Sequence, residues 1–136
     1  MTNLNAYLTF SGNCEEAINF YKDCLGGEIL SINYFEGSPM EVPEEYKKKV
    51  MHVTLKFEDC LLMASDNPPR NEIINGNNFS LTIGTDDLKK GDDYFEKLSS
   101  GGNVIMSMQE TFWAPRFGML TDKFGINWMI NCETKK

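Results

Sequence analysis

Apolar and polar residues alternate along several short segments of this chain, which is typical of β-strands with one buried face. In residues 4–10 the apolar positions are Leu4, Ala6, Leu8 and Phe10, and the positions between them are Asn5, Tyr7 and Thr9. The other strands predicted for the first half of the chain are 28–35, 50–57 and 60–65. Together these strands predict a sheet that buries one face and leaves the other accessible.

Two segments have apolar residues three and four positions apart, which predicts amphipathic helices. The first covers 14–25, with Asn13 as its N-cap, Glu16 in the capping-box position and Gly26 at its end. The second runs from about Asp87 to Ser99, and its apolar face consists of Leu88, Gly91, Phe95 and Leu98.

The pattern at the start of the chain returns in its second half. A strand predicted at 79–83, with Leu81-Thr82-Ile83, matches Leu8-Thr9-Phe10, and each of the two helices ends at a Gly-Gly pair. The repeat predicts two copies of a βαβββ module. The predicted fold class is therefore α+β, with residues 1–136 as a single domain, modules at about 1–66 and 77–136, and a linker at 67–76.

An aromatic-rich segment near the end of the chain combines two predicted features. Residues 119–131 form a hairpin that turns between Asp122 and Gly125, where glycine allows a tight turn. The preceding loop carries Trp113 and Arg116 around Pro115. Two roles for this loop are open: it forms a wall of a ligand pocket, or it covers the hydrophobic core.

Composition and charge exclude several classes of protein. The formal net charge of −7 disfavours binding to nucleic acid, which needs a basic surface. No apolar segment is long enough to span a membrane, and the first residues lack the features of a signal peptide, so we expect a cytoplasmic protein. The four cysteines form no CxxC pair, and a single histidine excludes a zinc site built from several histidines.

These segments, taken together, resemble the PhnB-like branch of the vicinal-oxygen-chelate superfamily, which includes glyoxalase I, bleomycin-resistance proteins and extradiol dioxygenases. The matching segments are 7–17, 50–52, 62–66, 109–113 and 117–128, and they extend over nearly the whole chain. The resemblance implies two modules whose sheets curl around a shared pocket in a homodimer. Members of this branch often carry a ubiquinone-methyltransferase label, but the sequence has no glycine-rich cofactor loop, so we predict no cofactor.

The resemblance also implies where a divalent metal ion would bind in active members of the superfamily. The first-strand positions correspond to Asn5 and Asn78, and the last-strand positions fall near Met63 and Met129. Neutral amides and thioethers are poor ligands for hard divalent ions. We therefore predict that the chain has no metal site at these positions.

Three other residues are candidates for binding or chemistry. His52 is predicted on the same strand face as Thr54, where it either acts as a general acid or base or makes structural hydrogen bonds. Arg116 either pairs with an anionic ligand or forms a salt bridge, to Glu110 or to a partner subunit. Tyr7 is expected on the accessible side of the sheet.

The predicted function is metal-free binding of a small molecule, anionic or aromatic, by a homodimer. The alternative is a lyase, isomerase or dioxygenase-type enzyme that uses a metal ion or His52, and a third possibility is a dimeric scaffold without a pocket. The predicted ligand-binding residues are Asn5, Tyr7, Met63, Asn78, Trp113, Arg116 and Met129, with His52 as the candidate catalytic residue.

Overall fold

A computed structural model describes residues 2–67 and 72–133 of the chain. The chain divides into two compact units, Met1–Ile74 and Asn75–Lys136. Residues 68–71 of the predicted linker lie outside the described residues. The prediction that the two modules form one domain stays a prediction.

The first unit is one helix and a four-stranded sheet. Its elements are β1 (Ala6–Phe10), α1 (Cys14–Leu25), β2 (Glu28–Tyr34), a 3₁₀ turn (Glu44–Tyr46), β3 (Val50–Phe57) and β4 (Cys60–Asp66). The strand order is β1-β4-β3-β2, in which β1 runs parallel to β4 and the other neighbours are antiparallel.

The second unit repeats this arrangement. Its elements are β5 (Leu81–Thr85), α2 (Leu88–Ser99), β6 (Asn103–Gln109), β7 (Arg116–Thr121) and β8 (Asn127–Cys132). The strand order is β5-β8-β7-β6, again with one parallel and two antiparallel pairs. The predicted βαβββ repeat and the predicted hairpin around Asp122 are confirmed.

One face of each sheet packs against its own helix. In the first unit Leu8, Val53 and Ala64 are buried on the face that meets α1. Two contacts identify this face: Asp66 bonds to the start of α1, and Leu55 lies close to Gly27, just beyond the end of α1. In the second unit α2 approaches β8 so closely that a Cβ atom at Gly91 would overlap the Cys132 sulfur. Alternation along each strand then turns the intervening side chains to the helix-free face.

Three details of the sequence prediction are wrong. The first strand begins at Ala6, and Leu4 is fully exposed, because residues before Ala6 have no neighbouring strand to pair with. The strand predicted at 79–83 is 81–85 for the same reason. On α2, Leu88 is exposed because it is the first residue of the helix, and Tyr94 is buried in its place.

The start of α1 also differs from the prediction. The Asn13 side chain makes no capping hydrogen bond. The carboxylate of Asp66 replaces it, because Oδ1 accepts from the backbone N–H groups of Gly12 at 2.8 Å and Cys14 at 2.9 Å. The predicted end is confirmed, with Gly26 in a left-handed conformation at a φ of 68°.

No helix among the described residues is both long enough and apolar enough to cross a membrane.

Candidate functional site

The helix-free face of the first sheet brings three predicted site residues together. The pairing of β1 with β4 places Tyr7 opposite Met63, and the pairing of β3 with β4 places Thr54 on the other side of Met63. His52 lies two residues before Thr54 and so shares its face. We call Tyr7, His52, Thr54 and Met63 the first open face.

A chain of hydrogen bonds connects the polar members of the first open face. The Tyr7 hydroxyl lies 3.3 Å from Nδ1 of His52, and Nε2 of His52 lies 3.1 Å from the Thr54 hydroxyl. The Tyr7 and His52 rings are also in contact, with centroids 5.7 Å apart. Both imidazole nitrogens therefore have a partner, whereas the Tyr7 side chain is half exposed and its oxygen can form a further hydrogen bond.

The remaining predicted residues of the first strands lie outside the regular sheets. Asn5 precedes β1 and is exposed, and Asn78 precedes β5 and is also exposed. Neither side chain has a hydrogen-bond partner among the residues that the structure describes. Both are therefore free to contact solvent or a ligand.

The helix-free face of the second sheet carries methionines and uncharged polar groups. Met129 on β8 pairs with Thr82 on β5 and with Met119 on β7. We call Thr82, Met119, Met129 and Asn127 the second open face, since alternation places Asn127 on the same side of β8. Flexible thioether side chains suit a surface that adapts to its ligand.

The aromatic loop reaches this part of the second unit. Trp113 contacts Phe112 and Phe117 edge to face, at centroid distances of 4.8 and 5.2 Å. The loop is held by hydrogen bonds between Thr111 and Ala114. Phe117 alternates with Gly118, which faces α2, so Phe117 lies on the helix-free side. Trp113 packs on this ring and remains half exposed.

Arg116 lies on the opposite side of the second sheet from Met129. It shares the helix side with Gly118, and its guanidinium donates to Oδ1 of Asp92 on α2 from both Nε, at 2.9 Å, and Nη2, at 2.7 Å. The salt-bridge partner is thus Asp92 and not Glu110. An anionic ligand of Arg116 would have to compete with this carboxylate.

The residues at which the resemblance implies a metal ion do not suit one. Asn5 and Asn78 offer neutral amides and Met63 and Met129 offer thioethers, none of which suits a hard divalent cation. Across residues 2–67 and 72–133, no three His, Cys, Asp or Glu side chains converge as a metal site.

The two helix N-termini, where an anionic cofactor group would bind, are occupied by carboxylates. Asp66 accepts from the backbone at the start of α1, and Asp87 accepts from the Lys90 N–H at the start of α2. The described residues therefore do not fit a phosphate-bearing or nucleotide-like cofactor at either terminus.

Two buried carboxylates are not among the residues predicted from the sequence to have a role. Besides its two bonds to the start of α1, Asp66 accepts from the Val50 N–H at 2.9 Å. Asp122 accepts from the backbone of Phe124 and Ile126 and from the Trp128 indole. The only sequence signal was an aspartate at the end of an apolar strand, which is also common in solvated turns.

The Asp66 site changes the chemistry of a neighbouring thiol. Burial, together with the charges of Asp66 and Glu15, raises the pKa of Cys14 to about 12. Burial, with the charge of Asp92, also raises the pKa of Cys132. Both thiols stay protonated near neutral pH and are poor nucleophiles.

Comparison with known structures defines the class of protein first. A glyoxalase/bleomycin-resistance/dioxygenase domain from Frankia sp. EAN1pec has the same fold, with a TM-score of 0.70 at 10% identity over 98% of both chains. Protein PA1353 from Pseudomonas aeruginosa is more similar, with a TM-score of 0.90 and 38% identity over 99% of this chain and 100% of that one. The protein thus has the glyoxalase/bleomycin-resistance fold.

The family follows from sequence. Residues 2–131 match the family model described as 3-demethylubiquinone-9 3-methyltransferase. Protein YjdN of Escherichia coli K12 is 33% identical, covering 94% of this chain and 93% of the relative. A PhnB protein from Bacillus cereus has a TM-score of 0.80 and 26% identity over 96% and 99% of the two chains. The chain belongs to this family, the PhnB-like branch of the superfamily.

Proposed function

We propose that this chain binds a small molecule at the first open face, without a metal ion. The observation that carries the proposal is the hydrogen-bonded chain from Tyr7 through His52 to Thr54 beside Met63, on a sheet face that no helix of its unit covers. A polar chain ending in an accessible hydroxyl fixes the orientation of a ligand, and the thioether offers an adaptable apolar contact.

The roles of the two rings differ in this proposal. The Tyr7 hydroxyl contacts the ligand, because it is half exposed and can form another hydrogen bond. His52 is a positioning residue, because its two ring nitrogens are used by Tyr7 and Thr54. His52 holds the phenol in one orientation. Nδ1 of His52 either accepts a hydrogen bond from the Tyr7 hydroxyl or donates one to it, depending on the imidazole tautomer.

An enzymatic role is the second candidate, and the same contact favours it. A phenol hydrogen-bonded to an imidazole can transfer a proton to or from a bound molecule, with His52 as the acid or base behind Tyr7. Asn5 precedes β1 of the same unit and is proposed to contribute to this ligand site. Asn78, Trp113 and Met129 belong to the second unit, where their predicted role in ligand binding stays a proposal. Arg116 contributes only if the ligand displaces Asp92.

The proposal is tested by removing the hydroxyl group of one tyrosine at a time. Native mass spectrometry of freshly purified protein should show a retained ligand in the wild type and less of it in Tyr7→Phe. Tyr34→Phe is the matched control, because the Tyr34 hydroxyl also makes one hydrogen bond, to Glu15 of α1 on the helix side.

A second measurement uses the single histidine of the chain. The imidazole signals of His52 in an NMR spectrum need no assignment, and they should shift when the retained ligand, or an active fragment from a small library, is added. Equal ligand retention in the wild type and Tyr7→Phe would contradict the proposal. The proposal would also be contradicted if the purified protein retained no ligand and no fragment in the library shifted the His52 signals.

We also propose that the protein is a homodimer. Phe112 is almost fully exposed, and Val104 on the edge strand β6 is half exposed. Exposed apolar residues of this size favour burial against a partner subunit. Sedimentation at micromolar concentration should show twice the 15.5 kDa chain mass, and a species of 15.5 kDa alone would refute the dimer.

A further inference from the structure

We propose that the second unit has a separate pocket for uncharged small molecules that both donate and accept hydrogen bonds. A cavity of about 260 Å³ lies where β7 turns into β8, next to the residues that lead into β5. The side chains that matter for its chemistry are those of Asn77, Ser80, Ile105, Met119, Thr121 and Asn127.

The lining carries no charged side chain in the described part of the chain. A carboxylate or ammonium group that entered this cavity would lose hydration without gaining an ionic partner. Arg116, the cation of β7, lies on the helix side of the sheet and pairs with Asp92. The pocket therefore favours uncharged ligands over ions of the same shape.

The hydrogen bonds of Asn127 make one wall rigid. Its Nδ2 donates to the carbonyl oxygens of Gly76 and Phe79, and its Oδ1 accepts from the Thr121 hydroxyl at 2.8 Å. This amide therefore fixes the segment before β5 against the β7–β8 hairpin and leaves little capacity for a ligand.

Asn77 and Ser80 are the groups that a ligand can use. Their side chains have no hydrogen-bond partner among the residues that the structure describes. An amide and a hydroxyl can each donate and accept, so they complement a carboxamide, a lactam or an alcohol. This combination sets the chemical class of the ligand.

Ile105 supplies an apolar wall, and its exposure to water is unfavourable when no ligand covers it. The pairing of β6 with β7 shifts register between Val104 and Met106, so Ile105 is an extra residue in a bulge. Bulges redirect side chains, and this one leaves Ile105 at the pocket and 63% exposed to solvent. A bound apolar group would remove part of that surface from water, and Met119 also lines the pocket.

The experiment compares three probes with one ring and different charges: benzamide, benzoate and benzylamine at neutral pH. The indole N–H signal of Trp128, which borders the pocket, reports binding in an NMR titration. The chain has two tryptophans, and Trp113→Phe identifies the signal. We expect benzamide to give a saturable shift and both ions to bind about tenfold more weakly, a difference of about 1.4 kcal/mol.

Variants of the lining test whether benzamide binds in the proposed pocket. Ser80→Met fills the pocket and should abolish the benzamide shift, whereas Ser107→Met, on the exposed edge strand of the same sheet, should leave the dissociation constant unchanged. Ile105→Ala removes the apolar wall and should weaken benzamide several-fold, which keeps the test valid if Ser80→Met does not fold.

Equal binding of benzamide and benzoate, no shift at all, or unchanged binding in Ser80→Met and Ile105→Ala would overturn the inference. The Trp128 signal reports on this pocket and the His52 signal on the first open face. A failure of one proposal is therefore distinguishable from a failure of the other.

Discussion

Asp66 is expected to stabilise the first unit more than any exposed carboxylate, and Asp66→Asn tests this expectation. Asp66 is 3% exposed and accepts three backbone N–H groups, two at Oδ1 and one at Oδ2. These bonds join the end of β4 to the start of α1 and the start of β3. The substitution keeps the shape of the side chain and replaces one acceptor oxygen by a donor NH₂ group.

The magnitude follows from the three bonds. In its best orientation the introduced amide oxygen would keep the hydrogen bonds from the N–H groups of Gly12 and Cys14. Its NH₂ group would then face the N–H of Val50, so that two donors meet. A hydrogen bond to a charged group contributes about 1.5–3 kcal/mol, and the buried donor left unpaired adds to the loss. We expect the free energy of unfolding to fall by about 2–4 kcal/mol.

The assay is urea unfolding followed by circular dichroism, because both tryptophans lie in the second unit and would not report on this site. Asp59→Asn is the matched control, since Asp59 is exposed in the turn between β3 and β4, and we expect a change within about 0.5 kcal/mol. Equal effects of the two substitutions would refute the reasoning.

A second readout separates charge from packing. Asp66 is one of the charges that raise the pKa of Cys14. In Asp66→Asn the Cys14 thiolate should therefore form at a lower pH than in the wild type, as measured by thiolate absorbance against a Cys14→Ala counterpart. An unchanged thiolate titration would contradict the proposed charge effect.

Three further predictions concern the cysteines and the packing of α2. Of the four thiols, only the exposed Cys60 should react with a disulfide reagent in the native protein, whereas all four should react in urea. Reaction of more than one thiol in the native protein would contradict the burial pattern. Between pH about 9 and about 12 the unfolded chain ionises Cys14 and the folded chain does not, so the free energy of unfolding should fall as pH rises, and less steeply in Cys14→Ala. Gly91→Ala should destabilise by about 1–3 kcal/mol through the clash with Cys132, and should become neutral or stabilising in a Cys132→Ala background; an equal cost in both backgrounds would exclude that contact.

The periodic parts of the chain could be predicted because their signals are local. The bounds of α1 and the turn of the β7–β8 hairpin follow from apolar spacing and from glycines in backbone conformations that other residues rarely adopt. Strand alternation was enough to place Tyr7, His52 and Met63 on one face, because a strand has a fixed period of two.

The sequence could not predict contacts between distant residues. Arg116 was expected either beside an anionic ligand or in a salt bridge to Glu110 or a partner subunit. The register of β7 turns it toward α2, where it pairs with Asp92. The start of α1 has a good local capping residue in Asn13, yet the buried Asp66, far away in sequence, provides the acceptor. A side chain that satisfies several buried N–H groups outweighs a local cap, and only the folded sheet brings it there.

The sequence by itself determined the repeat, the two helices, and the alternation that gives each sheet a helix side and an open side. The tertiary structure decided which polar groups pair with one another: His52 with Tyr7 and Thr54, Arg116 with Asp92, and Asn127 with the segment before β5. The physical reason is that periodicity fixes only the face on which a side chain lies. Strand register and helix packing fix the distance between side chains, and that distance determines whether a polar group stays free for a ligand.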